Sequence, residues 1–202
     1  MRLVCWIVPV LLAAPGVLPA QSPPAPWTLT AGLDGMRFTA AARDTEAPAA
    51  EAAGLRPSGR MGARVALQRA AGAWRAELGL GWAPGNVEAA NDAVAIRDRT
   101  ADLSRFRVSA GVERTVARAG AGELAFAAGP ILDLWSVEGD TRLRAGAACA
   151  LALRLPLGAV ALENRLGFGV SGSPLKAGDV DGEFELRAVT AVEFGVALRL
   201  SL

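Results

Sequence analysis

Residues 74–82 read WRAELGLGW, and apolar and polar positions alternate along them. The even positions are all apolar: Trp74, Ala76, Leu78, Leu80 and Trp82. The odd positions hold Arg75, Glu77 and two glycines. A period of two is that of a β-strand, whose successive side chains point to opposite faces. The segment therefore predicts a strand with one apolar face, which contacts either a protein core or a lipid bilayer.

The first twenty residues have the composition of an export signal. Arg2 supplies a positive charge, an apolar run extends from Leu3 to Ala14, and Ala20 ends a small-residue cleavage site. The apolar run is shorter than the ~20 residues that a membrane-spanning helix needs. We therefore predict a secretory signal peptide at residues 1–20 and a mature domain at residues 21–202.

Composition narrows the class of protein. Hydrophobic residues make up 52% of the chain, yet no stretch after residue 20 is long and apolar enough for a transmembrane helix. The hydrophobicity must therefore be distributed over alternating strands. A net charge of +1 gives no indication of a nucleic-acid partner. Cys149 is the single cysteine after the signal peptide, so no internal disulfide is expected.

The alternation of WRAELGLGW recurs in seven further segments, which predicts eight strands. These segments are residues 27–40, 60–68, 105–113, 124–134, 143–155, 160–170 and 184–202. In the first of them the phase changes by one residue at Gly35, which predicts a β-bulge that turns Met36 and Phe38 to the apolar face. Long and short connections alternate strictly along the chain. This asymmetry is typical of an outer-membrane barrel with short periplasmic turns and longer extracellular loops.

The polar faces carry charged side chains interleaved with glycine and alanine. The charged residues are Arg75, Glu77, Arg105, Arg107, Glu113, Asp133, Arg144, Arg154, Glu163, Arg165, Glu185, Arg187, Glu193 and Arg199. An eight-stranded barrel has an interior that side chains fill. Eight basic and six acidic residues can pair there, and pairing makes the burial of charge tolerable. We therefore predict a charged lumen and an apolar, lipid-facing exterior.

Aromatic residues provide a check on strand length. The eight steps from Trp74 to Trp82 span ~26 Å of strand, which a tilt of ~40° projects to ~20 Å along the membrane normal. This is close to the ~25 Å apolar band of such barrels, which aromatic girdles flank. We predict four aromatic residues at the membrane interfaces: Trp27, Trp74, Trp82 and Trp135.

Residues 21–202 therefore resemble the small OmpA/OmpX-type outer-membrane β-barrels. The resemblance rests on the signal peptide, the eight amphipathic strands, the alternating connections and a last strand that reaches Leu202. It implies an all-β, antiparallel up-and-down transmembrane barrel in the bacterial outer membrane, inserted by the outer-membrane assembly machinery as a monomer. Two features depart from this family's pattern. Such barrels usually end in an aromatic residue, whereas this sequence ends in Leu202. In some relatives a peptidoglycan-binding domain follows the barrel, and we predict none here.

The residue types in the chain limit the catalytic chemistry that is available. Without histidine the chain lacks Ser-His-Asp triads and histidine metal sites, so we expect no enzyme and no cofactor. Acid/base chemistry by Glu163, Glu185 and Glu193 is the remaining catalytic alternative, and salt bridges are the favoured interpretation of these residues.

Three functions fit the predicted barrel. The first is a structural or surface-interaction role through the loops at residues 42–59 and 83–102, because function concentrates in loops on a rigid scaffold. The second is a narrow channel or transporter for a small solute. The third is a soluble, periplasmic, lipocalin-like barrel, which requires an apolar interior and a polar exterior.

Overall fold

The computed structural model describes residues 27–45, 54–90, 95–176, 179 and 184–202. The predicted signal peptide and parts of both predicted interaction loops lie outside these residues. Regular structure in the described ranges consists of eleven β-strands: β1 Trp27–Phe38, β2 Ala42–Asp44, β3 Gly54–Pro57, β4 Met61–Ala71, β5 Trp74–Ala90, β6 Ala95–Ala119, β7 Gly122–Val137, β8 Asp140–Leu157, β9 Val160–Ser171, β10 Phe184–Leu186 and β11 Val189–Ser201. No helix able to cross a membrane occurs in these ranges.

Eight of the strands form a closed antiparallel ring. Strand β1 pairs with β4 on one side and with β11 on the other, and β4 to β9 pair in chain order. The pairing of β9 with β11 completes the ring. The predicted eight-stranded, up-and-down barrel is confirmed. The three short strands β2, β3 and β10 lie outside the ring.

Three hairpin turns lie at the end of the barrel that holds both the start of β1 and the end of β11. Each is a Gly-Ala pair, with φ of +63° at Gly72, +57° at Gly120 and +68° at Gly158. Glycine adopts positive φ without steric cost, and a glycine in the first position is typical of the type II′ turn that matches strand twist. These turns are the predicted short periplasmic connections.

At the opposite, extracellular end, more of the chain is paired in strands than the predicted long loops indicate. Strand β5 extends to Ala90 and β6 starts at Ala95, so most of the predicted loop at residues 83–102 is a long hairpin. The connection from β7 to β8 is a two-residue turn with positive φ at Glu138 and Gly139. The ring strands therefore continue well above the apolar band.

The three short strands form a small sheet on this extension. Its order is β10, β2, β3 and then the upper part of β5, where Pro57 faces Val87 and Gly54 faces Ala90. The prediction of one continuous last strand from Phe184 is therefore wrong. Residues 184–186 pair with β2, because β9 ends at Ser171 opposite Val189 and offers no partner further up. We call this sheet (β2, β3, β10 and residues 87–90) the extracellular platform.

The predicted bulge at Gly35 is also wrong. Strand β1 keeps one register with β11 through Gly35↔Phe194, Met36↔Glu193 and Phe38↔Ala191. Phe38 therefore points into the barrel, where it is 7% exposed. The interior is apolar at its extracellular end, so the rule that apolar side chains face outward does not hold there.

The outer surface answers the question raised by WRAELGLGW. Trp74, Leu78, Leu80 and Trp82 are 48–54% exposed, whereas Arg75 and Glu77 point inward and are partly buried. The same arrangement holds around the ring, where large exposed apolar residues include Leu33, Leu143, Leu166, Phe168, Phe194 and Leu198. A soluble protein has an apolar interior and a polar exterior. Because this barrel has the reverse arrangement, its outer face contacts lipid.

Pro130 lies on this outer face within β7. The ladder between β6 and β7 has no pairs between Ser109↔Ile131 and Val112↔Ala128, whereas β7 pairs with β8 continuously through Pro130↔Ala147. A proline lacks the N–H that a ladder requires. The barrel therefore accommodates Pro130 by interrupting the ladder on one side without changing the strand register.

Candidate functional site: the lumen and its extracellular cap

The periplasmic half of the lumen is organised around Arg154. Its guanidinium donates to Glu123 at 2.9 Å, to Glu163 at 2.9 Å and, through both terminal nitrogens, to the two oxygens of Glu113. Arg75 bonds to Glu113 at 3.1 Å and to Glu123 at 2.9 Å. Arg154 is 4% exposed and Glu113 is 1% exposed. Guanidinium groups bind carboxylates in this bidentate way because their planar donors match the carboxylate geometry.

A second group of ion pairs fills the middle of the lumen. Arg107 donates to both oxygens of Asp133, at 2.7 and 3.0 Å, and to Glu193 at 2.8 Å. The hydroxyl of Ser171 donates to Asp133 at 2.9 Å. Asp133 is fully buried, so these donors replace the water that it loses.

Further polar residues extend the periplasmic group towards the middle of the lumen. Arg64 bridges Asp34 at 3.3 Å and Glu163 at 3.1 Å. The amide of Gln68 donates to Glu77 at 2.5 Å and to Glu113 at 3.1 Å. Longer contacts join Arg165 to Glu77 at 3.9 Å and Arg199 to Glu163 at 3.8 Å. The lumen therefore holds two groups of ion pairs, which together we call the lumen network.

An apolar cap lies above the lumen network. It consists of Phe38, Ala41, Ala42, Leu55, Leu103, Trp135, Val137, Leu175, Val189 and Ala191. Phe38 and Trp135 pack edge to face, with their ring centroids 5.7 Å apart. Arg105 joins the cap to the network, since it donates to Glu193 at 2.8 Å and lies 5.1 Å from the centroid of the Phe38 ring.

Cavities remain in the filled interior. One of about 40 Å³ lies beside Asp34, Arg107 and Glu193, which is space for a few water molecules. A larger one of about 230 Å³ forms a vestibule at the periplasmic end and is lined by Arg75, Arg199 and other residues near the strand ends. The lumen is therefore widest at its periplasmic mouth, and ion pairs and the apolar cap occupy most of the space above it.

Two predicted lumen charges have other positions. Glu185 and Arg187 flank the end of β10 on the extracellular platform, where they are exposed and pair with each other at 3.1 Å. They are outside the lumen because β10 does not belong to the ring. Arg144 keeps the inward face of β8, opposite Asp133, and donates to the backbone carbonyl of Ser173 near the extracellular end. The other eleven predicted charges point into the lumen.

The prediction that Trp135 lies at a membrane interface is wrong. Trp135 is 2% exposed and belongs to the apolar cap. Its odd position places it on the same face as Asp133, which points inward. Trp27, Trp74 and Trp82 do lie on the outer face, where they are 40%, 48% and 53% exposed.

Sequence reasoning missed several members of the lumen network. Arg64 and Gln68 occupy the polar face of β4, and Glu123 continues the polar face of β7 by one step beyond the predicted strand. The predicted strand at residues 60–68 already has Arg64 and Gln68 on its polar face, although they are not among the predicted lumen charges, whereas Glu123 is identified only when the strand at residues 124–134 is extended to its observed start. Asp34 lies on the inward face of β1, where the alternation before Gly35 also places it.

Arg142 and Asp179 form a separate contact above the barrel. Arg142 donates to both carboxylate oxygens of Asp179, one of them at 2.9 Å, and to the backbone carbonyl of Pro174 at 2.7 Å. Partial burial favours the neutral acid, but the hydrogen bonds from Arg142 and from the Lys176 amide outweigh it and lower the pKa of Asp179 below its ordinary value. The contact holds Asp179 against β8.

The geometry gives no support to catalysis or metal binding by the acidic residues. Glu163 and Glu193 are bound to arginines in the lumen, whereas Glu185 lies on the platform. The described part of the chain contains no cluster of acidic or cysteine side chains that could hold a metal ion. Cys149 lies on the lipid-facing side of β8, opposite Phe168 of β9.

Comparison with known proteins gives matches of fold. No family model and no curated protein matches the sequence. The chain is similar to the structure of neisserial surface protein A, with a TM-score of 0.59 and 10% identity over 90% of this chain and 100% of the other. It is also similar to the outer membrane protein OprG from Pseudomonas aeruginosa, with a TM-score of 0.55 and 10% identity over 88% of this chain and 96% of the other.

The closed ring, the lipid-facing surface and these neighbours define the class of protein. The chain has the fold of a small, eight-stranded β-barrel of the bacterial outer membrane. The predicted resemblance to OmpA/OmpX-type barrels is confirmed for the fold.

Proposed function

We propose that this protein is a closed, non-enzymatic outer-membrane barrel that acts as a structural or surface-interaction protein through its extracellular side. The observation that carries the proposal is the obstruction of the lumen. Ion pairs such as Arg107–Asp133 fill its middle, and the apolar cap around Phe38 and Trp135 covers it. A barrel with this interior offers solutes no open path, so we assign its function to its extracellular surface.

The interaction surface that we propose is the extracellular platform together with the β5–β6 hairpin. It includes parts of the loops at residues 42–59 and 83–102, which the sequence favours. Backbone pairing of β2 with β3 and of β3 with β5 holds this surface on the ring, and Arg56 binds Glu88 across it at 2.7 Å. A partner therefore meets a paired sheet rather than a free loop, which lowers the entropy cost of binding.

Biogenesis follows from the same proposal. The signal peptide at residues 1–20 directs export, the assembly machinery inserts the barrel, and the ring is complete within a single chain. We therefore expect a monomer, because all eight ring strands are paired and no ring edge is left for a second copy.

Heat modifiability tests the barrel, and conductance tests its closure. The purified protein, folded in vesicles, is run on a denaturing gel with and without boiling. A shifted unboiled band is expected, since a closed barrel resists the detergent. In planar bilayers no conductance is expected at any voltage, and a stable open state would contradict the closed lumen.

A narrow channel is the second candidate. The vestibule of about 230 Å³ favours it, because water reaches Arg75 and Arg199 from the periplasmic side. A channel also requires the apolar cap to act as a gate. The double variant Phe38→Ala/Trp135→Ala removes the two rings of that gate. If the ion pairs close the barrel, the variant remains silent because the Arg107–Asp133 pair still fills the lumen. If the variant conducts while the wild type does not, the apolar cap is the seal, as a gated channel requires.

A further inference from the structure

Two arginines lie on the lipid-facing surface near its periplasmic edge. Arg69 of β4 and Arg114 of β6 are exposed and point outward with Leu67 and Val112, their neighbours on the same faces. Most other described charges of the ring strands point into the lumen, and Arg37, which also faces outward, lies towards the extracellular end of β1, opposite Val192. Charged groups on the outer surface are costly in hydrocarbon and tolerated at the interface. The outward position of these two arginines therefore needs an explanation.

Each arginine is stacked on a tryptophan. The guanidinium carbon of Arg69 lies 5.3 Å from the ring centroid of Trp27, and that of Arg114 lies 5.3 Å from the ring centroid of Trp74. The pairs are set by strand register, in which Trp27 faces Arg69 and Trp74 faces Arg114. Cation–π stacking uses the flat face of a guanidinium and leaves its in-plane N–H donors free.

No carboxylate of the described chain is placed to neutralise these two charges. The acidic residues of the ring in the periplasmic half, including Glu77, Glu113 and Glu123, point into the lumen and bind other arginines. On other strands of the ring the corresponding outward positions are apolar, as at Leu157 of β8 and at Leu198 and Leu200 of β11. The positive charge is therefore confined to the arc from β1 to β6.

We propose that this arc, made of Trp27, Arg69, Trp74 and Arg114, is a binding site for the phosphate groups of anionic phospholipids in the periplasmic leaflet. The inference rests on the proposed membrane placement of the barrel. The two arginines are separated by β5, so they lie on the order of 10 Å apart. That spacing suits two neighbouring headgroups, with the tryptophan rings in the interface beside them.

Tryptophan quenching tests the site directly, because Trp27 and Trp74 belong to it. The protein is folded into phosphatidylcholine vesicles that contain increasing fractions of phosphatidylglycerol with brominated acyl chains, which quench adjacent tryptophans. Brominated phosphatidylcholine is the reference lipid. The ratio of the two quenching curves gives the relative association constant of the anionic lipid.

We expect the wild type to prefer phosphatidylglycerol and the double variant Arg69→Gln/Arg114→Gln to lose the preference, by about fivefold for each arginine. The matched control is Arg118→Gln. Arg118 lies at the same end of β6, is 71% exposed and pairs with Glu123 at 3.7 Å rather than with a tryptophan. This variant removes the same charge and is expected to keep the preference.

Three results would overturn the proposal: no anionic preference in the wild type, an unchanged preference in the double variant, or an equal loss in the Arg118 control. Inorganic phosphate is added at constant ionic strength to distinguish the source of the phosphate. If it abolishes the lipid preference, the site binds free phosphate and the lipid assignment is wrong. A gel shift on the same vesicles separates these outcomes from a failure of the barrel itself, which would remove the shifted band.

Discussion

Glu113 shows how strongly a single lumen residue is held. It is 1% exposed and accepts hydrogen bonds from Arg154, Arg75 and Gln68. Glu113→Gln removes the charge and leaves two arginines with less compensation in a buried site. We expect the free energy of unfolding to fall by about 3 kcal/mol, which urea titration of the vesicle-folded barrel measures.

The exposed pair on the platform gives the matched control for this variant. Glu185 binds Arg187 where both side chains are close to half exposed. Solvent screens such a pair, so Glu185→Gln is expected to change the free energy of unfolding by about 0–1 kcal/mol. Equal effects at the two positions would contradict the structural importance of the lumen network.

Asp179 gives a prediction for pH. Its pKa is lowered in the folded protein, mainly by the hydrogen bonds from Arg142 and the Lys176 amide acting against partial burial. The stabilisation from a lowered acid pKa is present above the ordinary value of 3.8 and is lost as the pH falls through the folded pKa. Below about pH 4 we therefore expect faster hydrogen exchange at Lys176 after correction for the intrinsic rate. Asp179→Asn should remove this pH dependence, and its persistence in the variant would contradict the assignment.

At the scale of the element, the periplasmic turns are the points where one residue decides a hairpin. Gly120 has a φ of +57° and an open position for a side chain. Gly120→Val is therefore strained by backbone conformation alone, at about 1–2 kcal/mol. Ala121→Val changes the same turn without a positive φ and serves as control. Urea titration is expected to show a lower midpoint for the first variant only; equal midpoints would contradict the conformational argument.

The elements that contact lipid were those that sequence alternation could predict. A strand such as β5 must keep an apolar face outward along the whole band, so its period is visible from Trp74 to Trp82. The alternation stops being informative where the lumen itself becomes apolar. The predicted phase change at Gly35 therefore places Phe38 on the wrong side, and Trp135 is predicted at the membrane interface although its position in the alternation is inward. Platform strands such as β10 were also beyond prediction, since three residues carry no measurable period and their pairing depends on distant β2.

At the scale of the whole molecule, the ring and the platform are separable units. All eight ring strands pair with each other, and the platform adds only β3 to the edge of β5. Replacing residues 39–59 with a short glycine-rich turn removes β2 and β3 and leaves every ring strand in place. We expect the heat-dependent gel shift to remain, because the ladders and the lumen network are intact.

The same replacement also separates the two layers that close the lumen. It removes Ala41, Ala42 and Leu55 from the apolar cap, so water reaches Trp135 and its fluorescence emission should shift to longer wavelength. Conductance should stay absent, since Arg107, Asp133 and Glu193 lie below the cap and still fill the lumen.

Replacing the Glu138-Gly139 turn by Asn-Gly is the control, because it leaves the cap untouched and should change neither the tryptophan emission nor the conductance. Loss of the gel shift would mean that the platform is needed to close the ring, and conductance with an intact gel shift would mean that the cap alone seals the barrel.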